Sequence, residues 1–124
     1  MNSFRGYHKN IMEALDAVKA KKTYTFNNVT YDYSNLENVE VVCAIAGHTH
    51  IDGYLTTAGG IPCISTTCDS YRQNYEIQNG KLVNVPRTKG TIDEQAFDVI
   101  QFDFTNRKIY YTRIGYGSDR KFSY

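Results

Sequence analysis

The segment Ala46-Gly47-His48-Thr49-His50 sets two imidazoles two residues apart, directly behind the apolar, β-branched run Val39 to Ala46. Neutral imidazole nitrogen suits manganese, iron, zinc and nickel alike, so the pair implies a divalent transition metal without choosing one. In extended backbone, residues two apart project to the same side, which would bring both rings to one small volume. Gly47 would let the chain turn sharply and let a ligand approach the backbone. A position just past the carboxyl end of a buried strand is also where sites form in open α/β sheets. Asp52, two residues beyond His50, is either an additional ligand on that side or the residue that stabilises a turn before Gly53. The competing reading of His48 and His50 is a pair of loop histidines held by hydrogen bonds.

Other candidates have plainer readings. His8, in Gly6-Tyr7-His8-Lys9-Asn10, is an isolated third imidazole at a helix entrance, better suited to solvent or capping than to a metal. Cys43 stands inside the apolar run and reads as a small buried hydrophobe. Cys63 and Cys68 have no diagnostic spacing for a metal or a disulfide, and three cysteines without a CxxC pair favour reduced thiols. Arg113 and Arg120 suit phosphate or acidic side chains in principle, and solvated surface charge is the simpler expectation. Eleven tyrosines without a basic groove point to strand packing rather than to a base-stacking platform.

The elements that must position these residues follow from periodicity. Ile11, Ala14, Leu15 and Val18 make a helical stripe over Ile11 to Ala20, with early acids, late lysines and a capping box from Asn10 to Glu13. Thr23–Phe26 and Val29–Tyr33 alternate around Asn27-Asn28, the signature of a tight hairpin. Val39–Ala46 reads as a strand covered on both faces and therefore central. Strands are also expected over Ile61–Thr66 and around Tyr75–Ile77. The stretch Lys81–Thr91, with Pro86 and Gly90, reads as an extended surface loop, and Ile92–Phe97 is ambiguous. A hairpin joins Phe97–Phe104 to Lys108–Ile114. The fold class expected is α+β, an N-terminal helix with a mainly antiparallel or mixed sheet, in one domain over residues 1–124.

Fourteen basic against thirteen acidic side chains give no electrostatic case for nucleic acid or an anionic membrane as partner. No apolar span has transmembrane length and no signal-like run opens the chain, so a cytoplasmic location is expected.

The strand-Gly47-His48-Thr49-His50 arrangement resembles the closing GHxH motif of calcineurin-like metallophosphoesterases. The Gly59-Gly60 turn and strand that follow, and the last hairpin with its tail Ser118-Asp119-Arg120-Lys121-Phe122-Ser123-Tyr124, are similar to the C-terminal part of bacterial and phage-type members. The resemblance covers roughly residues 39–124. It implies part of a four-layer α/β/β/α sandwich, mainly one sheet with its helix. It also implies a dinuclear centre of manganese, iron or zinc, with metals about 3.5–4 Å apart that hydrolyse phosphomonoesters or phosphodiesters. By the motif, His48 would ligate one metal and His50 the other, with Thr49 as spacer.

The family's upstream DxH, GD and GNH motifs have no counterpart in the forty-seven residues before His48. Asp16 and Asp32 lack the right neighbours. No catalytic residue is therefore assigned. The chain is expected to be a partial domain, inactive alone, its metal sites potentially empty, and dependent on a missing half for a phosphoester substrate. A non-catalytic α+β assembly module derived from that scaffold is the alternative. A symmetric homodimer is expected, because one helical stripe cannot cover both faces of a sheet.

Overall fold

Apolar residues on one side of a helix need a surface to cover, and the N-terminal helix finds one in the hairpin that follows it. The computed structural model describes residues 7–124. Helix α1 spans Tyr7–Lys19, and Asn10 thus lies inside it rather than at its cap. The expected capping box is not its start. The side chain of His8 lies outside the described residues. Strands β1 (Thr23–Phe26) and β2 (Val29–Asp32) pair antiparallel in the expected register. Asn27 and Asn28 both take positive φ, 49° and 63°, as a two-residue hairpin turn requires. Asn10, Ile11 and Ala14 of α1 and Tyr24, Phe26, Tyr31 and Tyr33 of the hairpin enclose an apolar groove of about 350 Å³.

The apolar run departs from its expected role. Only Ala44–Ala46 forms a strand, β3, and it lies at the edge of a three-stranded sheet of order β3-β5-β4, with β4 at Gly53–Thr56 and β5 at Pro62–Ser65. Residues 39–43 pair with no strand. Val42 and Cys43 pack against the core while Glu40 reaches out to Arg107, so their apolar character reflects burial without a ladder. The central strand is β5, buried at every position. It runs parallel to β3 and antiparallel to β4.

Lys81–Asn84, expected as loop, is strand β7, paired antiparallel with β6 (Tyr75–Gln78) through Asn79 and Gly80, both at positive φ. The ambiguous Ile92–Phe97 stretch holds a short 3-10 turn at Ile92–Glu94. The late hairpin forms β8 (Ala96–Asp103) and β9 (Lys108–Gly115), and the tail adds β10 (Arg120–Ser123), giving a second three-stranded sheet of order β10-β9-β8.

These two sheets meet through Ile64 of β5 and Ile109 and Tyr111 of β9, with Ile100, Phe122 and Tyr124 packed around them. Phe122 stacks on Tyr54 at 4.8 Å between ring centroids and meets Tyr111 edge-on. Burial of Tyr111 with Ile64 and Ile109 is the main stabilising term in a core this small. The architecture is α+β, one helix with several mostly antiparallel sheets rather than a single sheet with its helix. No helix among the described residues is long and apolar enough to cross a membrane.

Candidate metal-ligand loop and the arginine network behind it

The two histidines sit in the loop that leaves the carboxyl end of β3 and enters β4. The loop is not extended. His48 has φ 75° and His50 φ 54°, so the side-sharing expected from strand geometry does not apply to them. The sharp turn comes from His48 itself, since Gly47 has no positive φ. A Cβ at Gly47 would meet nothing within 4 Å, which leaves open space beside the backbone there. Non-glycine residues in the left-handed region cost roughly 1–3 kcal/mol each and persist where the surroundings over-determine them.

For His50 the surroundings are plain. Its Nδ1 lies 3.1 Å from the carbonyl oxygen of Gln73. A carbonyl only accepts, so Nδ1 is the donor here, and in the neutral ring Nε2 is the nitrogen that carries the lone pair. Its own carbonyl accepts from Tyr75 N at 3.0 Å and lies 3.3 Å from Thr67 Oγ1, while its ring centroid is 6.3 Å from that of Tyr75. His48 is exposed. Between them, the hydroxyl of Thr49 is buried and has no hydrogen-bond partner.

Asp52 faces the other way. Its carboxylate takes Nη2 of Arg113 at 2.7 and 2.8 Å, Nη1 of Arg120 at 2.8 Å and the backbone N–H of Thr67 at 3.0 Å. It is therefore committed to two cations and one amide instead of pointing a free oxygen toward the histidines. Asp98 completes the network, accepting from Arg113 Nε at 2.8 Å and Arg120 Nη2 at 2.5 Å. The side chains of Arg113 and Asp98 are 1% and 4% exposed, so the expectation of solvated surface charge fails for Arg113 and largely for Arg120. Burial opposes the Arg113 charge, but the bonds to Asp98 and Asp52 outweigh it and hold its pKa above the ordinary value. Gly117, at φ 106°, lies so close that a Cβ there would stand 2.5 Å from Arg113 Nη1.

A cleft of about 560 Å³ opens beside this loop, lined by Ile51, Asp52, Thr67, Asn74, Glu76 and Tyr116 among others. Tyr116 donates to Glu76, which raises the phenol pKa, with burial adding to the effect. All three cysteines are free thiols. Cys68 Sγ lies 3.5 Å from the same Gln73 oxygen that holds His50, and Cys63 is wholly buried. Among the described residues no group of three or more His, Cys, Asp or Glu side chains is arranged to hold a metal ion.

The chain brings His48, His50 and Asp52 into one loop but turns the Asp52 carboxylate to Arg113 and Arg120, and it adds two features not expected from sequence. Gln73 carried no signal, being one polar residue in a loop. The Asp98–Arg113 pair did carry one: an acid and a base stand on alternating strands at positions that face each other once β8 and β9 are in register. Searched against protein-family models, curated proteins and solved structures, the chain matches none.

Proposed function

We propose that this chain is the C-terminal part of a calcineurin-like metallophosphoesterase, and that it contributes His48 and His50 to the metal shells of a phosphoester hydrolase. The observation that carries the reading is the orientation of His50. A metal-ligating histidine characteristically donates its other ring N–H to a backbone carbonyl or carboxylate, which fixes tautomer and ring. Gln73 does this for His50. The open space at Gly47 and the unpartnered Thr49 hydroxyl also suit a loop shaped around something further. Two sheets that share one core cluster are compatible with the inner layers of the α/β/β/α sandwich.

The donor set fits a metal only in part. Two imidazoles in one loop can each offer a nitrogen, but a closed shell needs carboxylates that Asp52 does not supply. Bound divalent metal would supply Lewis acidity and an activated water in such an enzyme. This chain's own share is to fix the His50 ring through the bond from Nδ1 to Gln73, which leaves Nε2 as the nitrogen for a ligand. The alternative, a non-catalytic module that keeps the scaffold, is favoured by the commitment of Asp52 to Arg113 and Arg120.

The test is metal stoichiometry and phosphodiesterase turnover with added manganese or zinc, for the natural chain and for His48→Ala, His50→Ala and the double variant. Weak metal binding that is lost in the double variant, with negligible turnover throughout, is the expected result. Full metal content in the double variant would refute the ligand assignment. Robust turnover abolished by either single substitution would show that the chain is not a catalytically incomplete part.

A further inference from the structure

Strand β8 is eight residues long and pairs on one side only, as the edge of the order β10-β9-β8. The side on which each backbone group points can be read from two bonds at its start. Tyr116 N donates to Gln95 O, continuing the β8–β9 register, so odd-numbered residues of β8 spend their N–H and C=O groups on β9. Ala96 N donates outward, to Asp69 Oδ1, which fixes the even-numbered residues as the free edge. The N–H and C=O groups of Asp98, Ile100 and Phe102 therefore point away from β9, with no strand beside them among the described residues.

Proteins ordinarily guard such an edge with lysine, proline, a bulge or an inward charge. The sequence Ala-Phe-Asp-Val-Ile-Gln-Phe-Asp holds no lysine or proline, and its register with β9 is unbroken. Its one inward charge, Asp98, is already neutralised within the chain by Arg113 and Arg120. The outer face beside the edge is apolar as well, with Phe97, Val99 and Ile114 exposed.

We infer that β8 is an interface, and that its occupant is β8 of a second copy, paired antiparallel about a two-fold axis at Ile100. Four constraints select this register. Continuity of the sheet faces requires even residues opposite even ones. Pairing about Asp98 would set Asp98 against Asp98 of the second copy, like charges directly opposed. Pairing about Val99 would call on the Ala96 N–H that Asp69 already holds, and pairing about Gln101 runs past the end of the strand at Asp103. Pairing about Ile100 sets Asp98 opposite Phe102 and Phe97 opposite Asp103, leaves no like charges facing, and satisfies every outward group from Asp98 to Phe102. The result is one six-stranded antiparallel sheet across both copies, two times the three strands of each. This inference rests on β8 and is independent of the metal reading.

Light scattering coupled to size exclusion is expected to give a dimer for the natural chain, and a monomer with unchanged far-UV circular dichroism for Phe102→Pro. The Phe102 N–H faces the free edge, so proline there spares the β9 ladder. A second measurement reads the register and does not depend on that variant folding. Val99 and Gln101 would face each other as a non-hydrogen-bonded pair, about 4.5 Å between Cα atoms, within reach of a disulfide. Chains carrying V99C mixed with chains carrying Q101C should cross-link, and either variant alone should cross-link far less. A monomeric natural chain, a folded Phe102→Pro variant that stays dimeric, or cross-linking that favours V99C or Q101C alone would each overturn the inference. A monomer would leave the edge to a foreign strand or to none.

Discussion

At the scale of single residues, the loop between β3 and β4 holds two histidines in left-handed backbone within three positions. Histidine tolerates that region better than β-branched residues do, but glycine occupies it without steric cost. His48 is exposed and its ring makes no hydrogen bond among the described residues, so little in the fold requires its side chain. Replacing it by glycine is expected to raise the stability of the metal-free chain by up to about 1 kcal/mol, while weakening metal binding. Urea unfolding with and without zinc measures both. A clear loss of stability in the metal-free chain would mean that His48 holds the loop and that its conformation owes nothing to a ligand. His50 is different, because its ring bond to Gln73 would be lost with it.

At the scale of elements, the Asp98–Arg113–Arg120–Asp52 network joins β8, β9 and β10 to the loop that carries the histidines. Removing one partner of a buried ion pair strands the other charge, at a cost of about 3–5 kcal/mol. Asp98→Asn is expected to lower stability by that order, seen as a reduced urea midpoint. Asp52→Asn should cost less, since a third of that side chain is already exposed. Equal losses would show that the two carboxylates share the load evenly. Strands were legible where sequence alternates cleanly, as in β1–β2 and β8–β9, and where turn residues stand at the tip. Val39–Ala46 was misread because an apolar run reports packing rather than pairing, and Val42 and Cys43 are half-buried against the core without a strand partner. Lys81–Asn84 was misread because Pro86 and Gly90 drew the loop assignment upstream of where they act. The loop histidines were found by their spacing, yet their backbone was not, since left-handed φ at histidine leaves no compositional mark.

At the scale of the whole molecule, the shared core is small and includes protonated acids. Burial raises the Tyr111 pKa from 10.0 to about 12, and its hydroxyl finds no partner. Burial also lifts the thiols of Cys43 and Cys63 above 9.0. In each case the folded state binds the proton more tightly than the unfolded state, so stability is complete below the unfolded pKa and falls as pH rises toward the folded one. Loss is expected to begin near pH 9.0 with the thiols and to continue through the range from 10.0 to about 12 with Tyr111. Tyr111→Phe should shift the alkaline transition upward, followed by circular dichroism against pH, and should not weaken the fold at neutral pH. A transition unmoved by that substitution would place the alkaline weakness elsewhere.

Asp16 fastens helix α1 to the loop between β4 and β5, accepting from the Thr57 hydroxyl and from Gly59 N at 3.1 Å. Those contacts span 41 and 43 positions of sequence, and Glu40 is pinned separately to Arg107. Between the two anchors the segment 34–38 is largely exposed and belongs to no strand. The entropy of closing a loop rises only logarithmically with its length, by about 0.6 kcal/mol per doubling. Extra sequence spliced in at that segment would thus leave both anchors and the core intact at little thermodynamic cost. It is a place where this chain can grow by insertion while keeping the same clasp.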